Sequence, residues 1–149
     1  TTFRVYLPRY TGESAETGEE EPQPEPRGGA ETILIVEDEP TVLNITRGML
    51  EALGYKILSA SGKDQALEIA RTYQGKIDLL LTDVVMPDIN GKELSGQMLT
   101  MKPDLKCLYM SGYTADVIAR QGILEEGIQF ISKPFSLKDL AAKVREALE

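Results

Sequence analysis

The residues of this chain best suited to chemistry are Glu37, Asp38, Asp83, Ser111 and Lys133. Each follows an apolar run. Glu37-Asp38 closes Ile33-Leu34-Ile35-Val36, Asp83 ends Leu79-Leu80-Leu81-Thr82, Ser111 follows Cys107 to Met110, and Lys133 follows Phe130-Ile131-Ser132. An apolar run that stops at a carboxylate and enters a Pro/Asn/Gly turn, as at Asp83, is how a buried parallel strand delivers a side chain to the carboxyl edge of its sheet. In open α/β sheets that edge is where ligands sit. Three carboxylates gathered there repel by several kcal/mol even at an effective dielectric of about 20, so the cluster calls for a cation or a shifted protonation state. Mg²⁺ held by carboxylates, a carbonyl and waters, with coordination left for a phosphate oxygen, fits that demand. Lys133 adds a second positive group and Ser111 a hydroxyl donor, and a phosphoryl group is the ligand that uses all of them together. Taken singly, each residue has a plainer reading. An acidic pair suits a helix N-terminus, Asp83 a turn, Ser111-Gly112 a loop, and Lys133 a solvated surface. The convergence of separate loops on one edge favours the joint reading.

Composition removes much competing chemistry. There is no histidine, so Ser-His-Asp catalysis, imidazole base work and His-ligated zinc are excluded. Cys107 is the single cysteine, which permits no internal disulfide and suits a reducing cytoplasm. Nothing basic adjoins it to make a reactive thiolate, so it reads as a core residue. The net charge of -8 opposes nonspecific binding to nucleic acid or an anionic membrane. No apolar run approaches the ~18–20 residues needed to cross a bilayer, and no signal-peptide pattern is present. This part of the chain is therefore expected to make no direct membrane contact.

The elements that must position these residues follow a regular alternation from Glu31 onward. Ile33 to Val36, Tyr55 to Ala60, Ile77 to Thr82, Cys107 to Met110 and Gln129 to Ser132 read as strands. Between them lies first a helix through Leu53, with Val42, Ile45, Met49 and Leu53 as its inward stripe and Gly54 as its stop. A second helix is capped by Ser61 and buries Ala66, Ile69, Ala70 and Tyr73. A third starts at an Asn90/Glu93 box, buries Leu94, Met98 and Met101, and closes at Pro103. A short fourth helix is placed around Asp116 to Gln121. The last opens at Ser136/Asp139 and carries Leu137, Leu140, Ala141, Val144 and Leu148 on one stripe. Five strands alternating with five helices predict a parallel α/β sheet covered on both faces. Right-handed crossovers then make the flavodoxin-like, doubly wound order 2-1-3-4-5 the expected solution.

Upstream, the composition changes. Residues 10–30 hold Glu13, Glu16, Glu19, Glu20, Glu21 and Glu25 among prolines and glycines, and read as a solvated, extended linker. Residues 1–9 show one half-buried strand pattern, with Phe3, Val5 and Leu7 alternating with Arg4 and Tyr6. An isolated strand cannot stabilise itself. Residues 31–149 form the expected folded domain.

Within that domain, Ile35-Val36-Glu37-Asp38-Glu39, Leu81-Thr82-Asp83-Val84-Val85-Met86-Pro87, Met110-Ser111-Gly112 and Phe130-Ile131-Ser132-Lys133-Pro134-Phe135 resemble, in order and spacing, the receiver domain of two-component response regulators. The resemblance covers about Thr32 to Leu148. It implies that Asp83 is the phosphoacceptor, taking a phosphoryl group from a phosphohistidine as an acyl phosphate. Asp38 and Asp83 would bind Mg²⁺ directly, Glu37 directly or through water, and the main-chain carbonyl of Val85 would complete the protein ligands. Lys133 would pair with phosphoryl oxygens and Ser111 would hydrogen-bond one of them. Phe130 stands at the family's switch-aromatic position. The implied output surface is the fourth helix, fifth strand and fifth helix, biased by the new phosphoryl group. Glu37 stands where an aspartate is common, Val85 has no polar side chain, and Phe130 lacks a tyrosine's hydroxyl.

Residues Thr1 to Pro8 are also similar to the final strand of a histidine-kinase ATP-binding domain. That implies the C-terminal piece of a hybrid sensor kinase, with ATP binding placed outside this chain and direct transcription control not expected. The implied partners are a histidine kinase domain, in cis or in trans, or a histidine phosphotransfer protein. Rival readings fit less well. A haloacid-dehalogenase-like phosphatase needs an aspartate two positions after Asp83, where this chain has Val85, and Asp88 lies too far along. A flavodoxin's phosphate loop would be repelled by Glu37-Asp38-Glu39. An unphosphorylated pseudo-receiver acting as an interaction domain stays open as the alternative, with the intact acidic set and Lys133 weighing against it.

Overall fold

The structure, a computed structural model, describes residues 28–112 and 128–149. The strand expected in residues 1–9, the linker as far as residue 27 and the short helix around Asp116 lie outside the described residues. The elements are β1 (Thr32–Val36), α1 (Pro40–Ala52), β2 (Lys56–Ala60), α2 (Lys63–Thr72), β3 (Leu79–Asp83), α3 (Gly91–Met101), β4 (Lys106–Ser111), β5 (Phe130–Ser132) and α4 (Leu137–Leu148). The five strands form one parallel sheet in the order β2-β1-β3-β4-β5. This is the flavodoxin-like arrangement expected from the alternation. β1 and β3 are its central strands, and their near-continuous apolar runs are what burial on both faces requires.

Alternation along the strands splits the core into two layers. Leu34, Val36, Leu80, Leu94 and Met98 pack under α2 and α3. Ile33, Ile35, Leu79, Leu81, Leu108, Met110, Leu140 and Val144 pack under α1 and α4. Each such fully buried Leu, Ile, Val or Met side chain contributes roughly 1.5–3 kcal/mol relative to an exposed one. Among the described residues no helix is long and apolar enough to cross a membrane.

The helix ends follow their sequence signals with one exception. The Asn90 side chain accepts from the Glu93 N–H at 2.8 Å, and Ser136 with Asp139 forms a complete reciprocal box. Gly54 takes φ +90°, a left-handed conformation in which only glycine is unstrained, and its N–H donates to the Glu51 carbonyl after α1. Ser61 does not cap α2. Gly62 occupies that position, and Ser61 instead donates its main-chain N–H to Gln65 Oε1 at 2.9 Å. The chain needs one more residue to leave β2 before it can turn into the helix.

Two apolar stripes are corrected. The buried residues of α1 are Thr46 and Leu50, joined by partly buried Leu43, Met49 and Leu53, while Ile45 is 52% exposed. The buried face is thus rotated by about one residue from the expected Val42/Ile45/Met49/Leu53 stripe. On α4, Leu137 is exposed and Ala147 is buried in its place within the stripe. The strand bounds shift slightly too: β3 begins at Leu79 rather than Ile77 and includes Asp83, and β4 runs from Lys106 to Ser111.

Candidate functional site

Parallel pairing places the ends of β1, β3, β4 and β5 on one edge. Val36 is registered with Thr82, Asp83 with Met110, and Ser111 with Ser132. The residues that follow or end these strands are therefore neighbours: Glu37 and Asp38 after β1, Asp83 at the end of β3, Ser111 at the end of β4, and Lys133 after β5. The joint reading of the sequence required this arrangement.

Glu37, Asp38 and Asp83 each offer a carboxylate oxygen, and the three oxygens lie within 4.8 Å of one another. Their settings differ. Glu37 is 1% exposed, Asp83 is half-buried and Asp38 is open to solvent. Lys133 reaches between two of them, donating to Glu37 Oε2 at 2.5 Å and Asp83 Oδ2 at 2.7 Å. Burial pushes the Glu37 carboxyl above its ordinary range, with the hydrogen bond and charge of Lys133 pulling the other way. Burial alone would weaken the Lys133 ammonium, but its bonds to Asp83 and Glu37 reverse this and hold it above the usual lysine value. The ammonium is thus charged throughout the physiological range.

The backbone around the site is held as tightly as the side chains. Glu39 caps α1, accepting from the Thr41 N–H, and donates its own N–H to Glu37 Oε1 at 3.3 Å. The Val85 N–H donates to Asp83 Oδ1 at 3.3 Å, and Val85 faces Asn90 across a short antiparallel bridge. The Lys133 N–H donates to the Ser111 carbonyl at 2.6 Å, and the Lys133–Pro134 peptide is cis. Ser111 is buried. Phe130 lies on β5 opposite Tyr109 of β4 and is partly exposed beside a surface groove that Phe135 also lines.

All the residues singled out in the sequence therefore gather at this edge except Phe130, which begins β5 below it. The sequence reading missed Glu39, whose cap role was hidden inside the acidic run. It also missed a small apolar groove of about 330 Å³ beside Lys133, lined by Val42, Ile45, Met49, Pro134 and Phe135. The sequence pattern places Val42, Ile45 and Met49 in the core, and of these only Met49 also packs against it. No sequence signal separates the two roles, because an apolar residue on a helix is compatible with either face.

The donor set suits a hard cation. Three carboxylates gathered at a solvent-accessible edge, with no thiolate or imidazole, match Mg²⁺ or a similar ion better than a softer metal.

Comparison with known proteins agrees with this geometry. The family model described as "Response regulator receiver domain" matches residues 33–145. Sensor kinase CckA of Brucella abortus (strain 2308) is 36% identical across 100% of this chain, which spans only 16% of that protein. The response regulator receiver protein CpdR of the same organism is 31% identical over 78% of this chain and 95% of its own length. Among solved structures, the receiver domain from the hybrid histidine kinase CckA aligns with a TM-score of 0.61 and 34% identity, covering 79% of this chain and 99% of that one. The strand order, the acidic edge and these matches lead to one assignment: the chain belongs to the response regulator receiver domain family, the phosphoacceptor modules that work with histidine kinases or phosphotransfer proteins in two-component systems.

Proposed function

We propose that Asp83 is the residue that accepts the phosphoryl group. The observation that carries this reading is the Lys133 ammonium joining the Glu37 and Asp83 carboxylates, with Asp38 completing the acidic cluster at the sheet edge. An Asp83 carboxylate oxygen attacks the phosphorus of a phosphohistidine. The O–P bond forms, the P–N bond breaks, and the imidazole leaves with the electron pair. The product is an acyl phosphate on Asp83.

Glu37, Asp38, Asp83 and the Val85 carbonyl would hold Mg²⁺, with Glu37 in contact directly or through water. Bound there, the ion supplies positive charge to the oxygens of the transferring group. The chain's own residues do the rest. Lys133 turns from the carboxylates to the phosphoryl oxygens, so its charge faces the place where negative charge grows. The Val85 N–H holds Asp83 Oδ1 and orients the carboxylate before attack. Ser111, at the end of β4, hydrogen-bonds a phosphoryl oxygen after transfer, and Phe130 follows its movement inward as the switch. The surface formed by β5 and α4 then reports the modified state.

The donor is a histidine kinase domain or a histidine phosphotransfer protein, because this chain has no histidine of its own. The apolar groove beside Lys133 offers support to a docking helix of that donor. The match of the whole chain to a short part of a sensor kinase, together with Thr1 to Pro8, supports a place within a hybrid kinase. Residues 1–9 would then be the last strand of its ATP-binding domain and 10–30 the linker, in the cytoplasm.

Incubation with phosphoramidate and Mg²⁺ should add one acid-stable, base-labile phosphoryl group, detectable by mass spectrometry. Asp83→Asn should abolish it. No adduct on the wild type, or the same adduct on the variant, would overturn the assignment. Turnover of unrelated phosphoesters would favour a phosphatase instead.

A further inference from the structure

We propose that Gly91 and Thr82 are positioning residues for phosphoryl acceptance, acting on the main chain of Asp83; this rests on the assignment of Asp83 as the acceptor. Thr82 is fully buried, and its hydroxyl donates to the Asp83 carbonyl at 3.0 Å. Gly91 is the first residue of α3 and is buried against the same carbonyl. A Cβ built on Gly91 would overlap the Asp83 carbonyl oxygen and would lie 3.2 Å from both the Asp83 carbonyl carbon and Thr82 Cγ2.

The reason for glycine here is proximity, not backbone conformation. Among the described glycines only Gly54 has positive φ, so alanine at position 91 meets no dihedral penalty. The clash falls on the acceptor itself. Neither partner is free to retreat. The Val84 N–H donates to the Met110 carbonyl and the Gly91 N–H to the Val84 carbonyl, each at 2.9 Å. The first turn of α3 is also tied to β4, since Ser95 Oγ donates to the Lys92 carbonyl at 2.8 Å and shares a 2.6 Å hydrogen bond with the Tyr109 hydroxyl. The loop carrying Val85 is thus closed at both ends. Making room for a methyl group must move the Asp83 main chain, and with it the carboxylate that has to meet the phosphorus in line.

A shift of about 1 Å at a reacting group costs on the order of a hundredfold in rate. Gly91→Ala and Thr82→Val are compared with the wild type in phosphoramidate and Mg²⁺, measuring the limiting rate constant, the donor KM, and Mg²⁺ affinity by calorimetry. Gly91→Ala should lower the limiting rate constant by about tenfold to a hundredfold, and Thr82→Val by a few-fold, with donor KM little changed. A merely structural role would reduce the fraction of reactive protein, and so the amplitude, while leaving the rate constant of the folded molecules intact. A folded Gly91→Ala variant with the wild-type rate constant overturns the proposal. Where that variant does not fold, Thr82→Val decides, and a wild-type rate constant there overturns it equally. A wild type that takes no phosphoryl group sinks the acceptor assignment, and the positioning role with it. A normal wild type with two undiminished variants sinks the positioning role alone.

Discussion

Lys133→Met tests whether a single ammonium holds the acidic edge together. The three carboxylate oxygens lie within 4.8 Å, and at that separation each charged pair repels by about 3.5 kcal/mol at an effective dielectric near 20. Lys133 offsets this by bonding two of the three acids. Removing it strands Glu37, which is 1% exposed and has little access to solvent. Removing one partner of a buried pair costs about 3–5 kcal/mol. The lower end applies here, because Asp38 is exposed, Asp83 is only half-buried, and Glu37 relieves part of the cost by taking up a proton. A loss of about 3 kcal/mol lowers the melting temperature of a domain this size by roughly 10 °C. The assay is thermal denaturation followed by circular dichroism in EDTA and again in excess Mg²⁺. Metal at a hundred times its Kd restores about 2.7 kcal/mol, so the variant should gain more from Mg²⁺ than the wild type, whose ammonium competes with the ion.

The pH dependence has a fixed sign. Burial already holds the Glu37 carboxyl above its ordinary value of 4.5, and losing Lys133 raises it further. A carboxyl raised in the folded state contributes stability that is complete below its unfolded value and lost as pH rises through the folded one. The gap between wild type and variant should therefore narrow as pH falls from 7 towards 4.5. A variant that melts within ~2 °C of the wild type in EDTA at pH 7 would refute the charge argument.

Two further outcomes are expected away from the site. The hydrogen bond from Arg145 holds the Glu31 carboxyl below its ordinary 4.5, so the pair contributes above that value and its contribution is lost as pH falls below it. Glu31→Gln should cost less than about 1 kcal/mol at pH 7 in urea denaturation, as a partly exposed pair does, and progressively less as pH falls below 4.5. Ser136→Ala breaks the reciprocal box at the start of α4 and should cost about 1 kcal/mol; an unchanged urea midpoint would show that the cap contributes nothing.

The sequence by itself determined the strands, their parallel arrangement and the acidic edge. Each followed from a local signal that only one structure satisfies. Leu79-Leu80-Leu81 is apolar on both sides of the pleat and so must be covered on both faces, and a carboxylate after such a run can only emerge at the strand's end. Once the strands are parallel, Glu37, Asp38, Asp83, Ser111 and Lys133 have to share an edge. The tertiary structure decided matters of phase and contact. The α1 helix carries apolar residues around much of its circumference, so periodicity establishes a helix without choosing its inner face. Packing on the sheet placed Thr46 inside and Ile45 outside, against their hydropathies. In the same way, composition offered Lys133 three carboxylates, and the geometry gave it Glu37 and Asp83. Gly91 read as an ordinary turn glycine until folding set it against the Asp83 carbonyl, a contact between residues eight apart that no local pattern encodes.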